Sequence, residues 1–130
     1  MLAPDSSRKP FPTMTRKDAQ QILEIKAYLD ENLYSAHSIQ ELCRRFHINR
    51  EKLQTGFHDL VQSTVHAYMV RQRIEQAAQR LLATDDSIKA IAFESGYKKQ
   101  RSFNKTFKSI YKLTPATYRR HHQQVAETKS

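Results

Sequence analysis

Apolar positions along the chain recur at the spacing of amphipathic helices, and the whole pattern occurs twice. Ile39, Leu42, Cys43, Phe46 and Ile48 match Ile88, Ile91, Ala92, Ser95 and Tyr97 at a constant offset of 49 residues. After a one-residue insertion, Leu53, Phe57, Thr64 and Tyr68 match Phe103, Phe107, Thr114 and Tyr118 at an offset of 50. Each copy reads as a short helix with apolar residues at i, i+3 and i+4, a tight turn and a second helix, the pattern of a helix-turn-helix.

Local signals place the element ends. A helix starts after Thr15, with Asp18 supporting its N-terminus, and runs to about Leu33; Ile22, Ile25 and Leu29 mark its buried face. Ser38 and Glu41 form a capping box for a helix ending near Phe46, and Asn49 caps the next, from Arg50 to about Val61. A long helix is expected from about Val65 to Ala83. At 1.5 Å per residue it spans roughly 28 Å, near the ~34 Å turn of B-DNA, so it can hold two reading heads in successive major grooves.

The second copy opens near Ser87, turns through Gly96 and Tyr97, and continues from about Lys99 to Tyr111. Gly96 is the residue expected where a helix ends in the left-handed region. Thr114 and Pro115 make an N-cap and first-turn pair for a last helix through His121. The expected fold is all-α, about seven helices in a homeodomain-like tandem. It divides into a flexible leader (1–14), a first helix-turn-helix subdomain (15–63), a linker helix (64–84), a second subdomain (85–122) and a polar tail (123–130).

Composition narrows the function. Of 130 residues, 22 are Lys or Arg against 13 Asp or Glu, a net charge of +9 that favours an anionic partner. Cys43 is the only cysteine, so it can neither staple the fold nor share a metal with a second thiolate; lying four residues after Ile39, it reads as a small buried hydrophobe. The six histidines show no metal-ligand spacing, and no phosphate loop, nucleophile elbow or HExxH motif is present. Neither enzyme chemistry, a cofactor nor a metal is expected. With no apolar run of membrane-spanning length and no signal-peptide core, the expected location is the reducing cytoplasm.

The run Ile88-Lys89-Ala90-Ile91-Ala92-Phe93-Glu94-Ser95-Gly96-Tyr97, then Ser102-Phe103-Asn104-Lys105-Thr106-Phe107-Lys108, then Thr114-Pro115-Ala116-Thr117-Tyr118-Arg119 resembles the signature of the AraC/XylS family of bacterial transcription regulators. Tyr68, Arg73, Ile74, Ala77, Leu81 and Leu82 resemble its linker helix, and Leu42, Leu53 and Phe57 its first motif. The resemblance spans about residues 20–121. It implies two helix-turn-helix subdomains on a central helix that bind an asymmetric duplex site as a monomer and activate transcription through contacts to RNA polymerase. Where the family commonly has glycine, before the Ser or Thr that opens the linker helix and before the Thr-Pro, this chain has Gln62 and Lys112.

Residues early in the second helix of such a motif, opposite its apolar anchors, point into the major groove. With Phe103, Phe107 and Ile110 as anchors, helix geometry turns Gln100, Arg101, Asn104 and Lys105 toward DNA, with Ser102 nearby. Matching the family's motif nominates Gln100, Arg101, Ser102 and Lys105 as base readers. Arg suits guanine O6 and N7, and Gln suits adenine N6 and N7. In the first motif Leu53 and Phe57 are the anchors; the exposed set is Arg50, Glu51, Gln54, Thr55 and His58, of which Arg50, Glu51, Gln54 and Thr55 are the candidate readers. Thr55 stands where the family often carries Arg, and Glu51 can accept from cytosine N4.

Residues 98–122 hold eight Lys or Arg and no Asp or Glu. Lys98, Lys99, Lys108 and Arg120 are the candidate phosphate contacts, and the second motif is expected to supply most of the electrostatic affinity. The competing expectation is a helical interaction module that binds RNA polymerase or another regulator, with only non-specific DNA contact, because Glu51 and Thr55 weaken the first reading head.

Overall fold

A helix begins where a side chain can satisfy its unpaired N–H groups. The computed structural model describes residues 15–129, with side chains through residue 123. The regular elements of these residues are α1 (Arg16–Glu31), α2 (Ile39–Phe46), α3 (Arg50–Val61), α4 (Val65–Ala83), α5 (Ile88–Glu94), α6 (Gln100–Tyr111) and α7 (Pro115–Lys129). Thr15, Ser38, Asn49 and Ser87 each accept from the backbone N–H three residues on, as do Thr64 and Thr114. Only α6 lacks a side-chain cap, its N-cap being Lys99. The expected leader, 1–14, lies outside the described residues.

Two ends differ from the sequence expectation. Helix α1 stops at Glu31 because Asn32 turns back on it, its side-chain amide donating to the Tyr28 carbonyl at 2.9 Å. Leu33 is nevertheless buried. Helix α7 continues past His121 to Lys129, so the residues expected as a polar tail after the last helix are, through 129, part of it. No Gly or Pro interrupts that stretch, and its Gln, Ala, Glu and Lys residues favour helix.

The two copies of the repeat share a hydrogen bond at the turn. The Ile48 N–H reaches the Cys43 carbonyl at 3.1 Å, and the Tyr97 N–H reaches the Ala92 carbonyl at 3.0 Å. Both turns pass through a left-handed residue, His47 (φ 53°) in the first copy and Gly96 (φ 99°) in the second. The second helices end alike, on Gln62 (φ 65°) and Lys112 (φ 68°), whose N–H groups donate to His58 and Lys108 carbonyls at 2.9 and 2.8 Å. These are the positions where glycine was expected from the resemblance; the non-glycine residues hold the left-handed geometry at a cost of up to about 1 kcal/mol each.

The chain divides into two compact units, and the division falls within α4, between Met69 and Val70. In the first, Ile22, Ile25 and Leu29 of α1 bury against Leu42 of α2, Leu53 and Phe57 of α3, and Val65, Tyr68 and Met69 of α4. In the second, Ile74, Ala77, Ala78 and Leu81 of α4 bury with Ile91 and Ala92 of α5 and with Phe103 and Phe107 of α6. The cores carry one matched contact: Tyr68 meets Phe57 edge-on at 5.6 Å, and Tyr118 meets Phe107 edge-on at 5.3 Å. Cys43 is partly buried and packs against the first core. Among the described residues, no helix is long and apolar enough to cross a membrane.

Candidate nucleic-acid interface

Helix α6 buries Phe103 and Phe107 completely and Ile110 in part, and this fixes which side faces outward. Gln100, Arg101, Ser102, Lys105 and Lys108 are exposed. Arg101, Lys105 and Lys108 follow at i, i+4 and i+7, so three cations share one face. Asn104 does not join them as geometry alone suggested; it is half-buried, with its Oδ1 enclosed and without a hydrogen-bond partner. Lys98, Lys99 and Arg120 are exposed too, Arg120 reaching the Thr117 hydroxyl at 3.5 Å. The N-terminal turn of α6 has neither a side-chain cap nor an acidic residue, so its partial positive charge adds to theirs.

Helix α3 holds the same phase with different chemistry. Leu53, Gly56 and Phe57 are buried, and Arg50, Glu51, Gln54 and His58 are exposed. At the repeat offset, Glu51, Thr55 and His58 occupy the places of Arg101, Lys105 and Lys108. Thr55 is half-buried, and its hydroxyl donates to the Glu51 carbonyl at 2.6 Å. What remains for a ligand is the hydroxyl oxygen as an acceptor and a methyl group. Lys52 is drawn away to Asp18 of α1 at 3.5 Å. A hydrogen bond from the Thr15 N–H, reinforced by Lys52, holds the Asp18 carboxyl below the usual aspartate value.

Three arrangements escaped the sequence reading. Arg119 lies within the basic stretch 98–122, but its Nε donates to the Leu81 carbonyl at 2.8 Å and its Nη2 to the Thr84 carbonyl at 3.0 Å. It closes the C-terminal end of α4 instead of projecting outward. Arg80 bridges Asp86 at 2.7 Å and Glu94 at 2.6 Å, and its hydrogen bond lowers the Asp86 pKa. In the first unit the Tyr68 hydroxyl donates to Asp30, which Lys26 also approaches at 3.4 Å. Burial, with that hydrogen bond, raises the Tyr68 pKa. Lys26 and Asp30 stand at i and i+4 on one helix, a spacing the sequence does show; the partners of Arg119, the Arg80–Glu94 pair and the Tyr68–Asp30 pair are brought together by packing.

Residues 42–121 match the family described as a helix-turn-helix domain. The raffinose operon transcriptional regulatory protein RafR of Pediococcus pentosaceus is 31% identical over 104 residues, covering 80% of this chain and 38% of that protein. The transcriptional activator AarP of Providencia stuartii is 29% identical over 105 residues, 81% of this chain and 78% of its own length. This chain therefore spans well under half of the first relative and most of the second. The DNA-binding domain of AdpA, a global transcriptional factor solved in complex with a target DNA, superposes with a TM-score of 0.72 over 80% of this chain and 94% of that one. At 23% identity that likeness establishes the fold.

Proposed function

The chain belongs to the AraC-type helix-turn-helix family of DNA-binding transcription regulators, and on that premise we propose that it reads a bipartite duplex operator, one major-groove element with each motif, and activates transcription from it. The observation that carries this reading is the exposed, carboxylate-free face of α6, held outward by two fully buried phenylalanines. Gln100, Arg101, Ser102 and Lys105 read bases there, and Lys98, Lys99, Lys108 and Arg120 hold phosphates. Arg50, Glu51, Gln54 and Thr55 read the other element with little electrostatic help. Activation proceeds through contact with RNA polymerase from a monomer on DNA in the cytoplasm, in keeping with a relative described as an activator.

Selection from a random duplex library at near-physiological salt, repeated with Arg101→Ala and Gln54→Ala, tests the proposal. Two short enriched elements about one helical turn apart, each relaxed by its own substitution, are expected. Each lost bidentate contact should reduce discrimination by ~1–3 kcal/mol. Recovery of the Arg101 element alone would reassign the first motif to backbone or protein contact. No enriched sequence would favour the interaction-module reading, which the acidic Glu51 and the engaged Thr55 hydroxyl support.

A further inference from the structure

The first unit carries a groove of about 400 Å³ on the outward side of α3. Its floor is apolar, made by Ile39 at the start of α2 and by Val65 at the start of α4. The other lining residues are polar: Gln54, Thr55 and His58 from α3, Thr64 as the N-cap of α4, and His66 from its first turn. Among the described residues that line it there is no carboxylate, and the first turn of α4 holds none either. Thr64 satisfies one N–H of this 19-residue helix, but no acidic residue offsets the partial positive charge at its start, beside two exposed imidazoles. Pockets of about 300–1,000 Å³ with apolar walls and a few convergent polar groups are the usual form of small-ligand sites.

We propose that this groove binds a small aromatic carboxylate. Its ring lies on Ile39 and Val65, and its anionic group takes the His58 and His66 ring nitrogens at the start of α4. A duplex phosphate carries the charge but has no apolar body to cover the floor, so the groove suits the organic anion better. Gln54 and Thr55 line the same groove, so an occupant covers side chains assigned above to base reading, and binding of the anion opposes reading by the first motif. This coupling rests on the proposed function; the binding itself does not.

Equilibrium dialysis of naphthoate against the full chain without DNA tests the site, with neutral methylnaphthalene as the control ligand. One saturable equivalent is expected, weakened about tenfold by His58→Ala or His66→Ala through loss of a charge-assisted hydrogen bond. Both histidines are exposed, so the variants should keep the parent circular dichroism spectrum. No saturable uptake, uptake that ignores both substitutions, or equal uptake of methylnaphthalene overturns the site. Saturating naphthoate should also erase hydroxyl-radical protection of the element that depends on Gln54 and spare the one that depends on Arg101. Unchanged protection of both overturns the coupling. If duplex selection yields no Gln54-dependent element, the proposed function fails there, and dialysis still decides the site.

Discussion

Arg119→Ala separates a cation that holds the fold together from the cations assigned to DNA. Its guanidinium donates to two carbonyls at the end of α4, 2.8 and 3.0 Å away, from a partly buried position. A hydrogen bond to a charged group contributes about 1.5–3 kcal/mol, but these two share one partly solvated group, so about 2–3 kcal/mol together is the reasonable sum. For a unit this small that lowers the melting midpoint by roughly 10–20 °C. Arg119→Lys keeps the charge without the planar fork and should lose about half as much. The neighbouring, exposed Arg120→Ala should change stability by less than about 0.5 kcal/mol, yet lower the slope of log K against log salt by about 0.9, one phosphate contact's share. Urea unfolding followed by circular dichroism gives the stabilities, and a salt titration of duplex binding gives the slopes. Arg119→Ala within about 0.5 kcal/mol of the parent would refute the latch. So would a folded Arg119→Ala protein with the slope change expected of Arg120→Ala.

Three further outcomes follow from the same geometry. Gly96 sits at φ 99° with nothing within 4 Å of a built Cβ, so Gly96→Ala should cost about 1–2 kcal/mol for conformation alone, while His47→Gly at the matching turn should stabilise by up to about 1 kcal/mol; opposite signs in urea unfolding are the check. Phe107 is fully buried, stacked on Tyr111 at 4.8 Å and edge-on to Tyr118, so Phe107→Ala should cost about 3–5 kcal/mol and remove the cooperative melting of the second unit. Asp18 and Asp86 have folded pKa values below the unfolded one, so their contribution is present above about pH 4 and disappears as pH falls through the folded values. Asp18→Asn and Asp86→Asn should therefore be less stable than the parent at neutral pH and converge with it in acid; a stability difference that does not change with pH contradicts this.

Helix starts, helix order and the outward face of α6 were legible in the sequence because they depend on residues within one or two turns of each other. Ser38, Asn49, Ser87 and Thr114 cap because each has an N–H three residues on to bind, and Phe103 with Phe107 orients α6 because both lie on one side of a 3.6-residue period. The doubled pattern specified the doubled motif for the same reason, whereas the left-handed ends at Gln62 and Lys112 stand where the resemblance alone marks a glycine position, and the structure supplied their geometry. Tertiary structure alone decided which charges remain outside. Arg119 finds its carbonyl partners 38 and 35 residues away, Arg80 reaches Glu94 across 14, and Lys52 turns to Asp18 on another helix. The groove of the first unit likewise joins the starts of two helices to the middle of a third. No periodicity encodes such meetings, because they are set by how buried faces pack, and a long cationic side chain goes to whichever carbonyl or carboxylate that packing brings within reach.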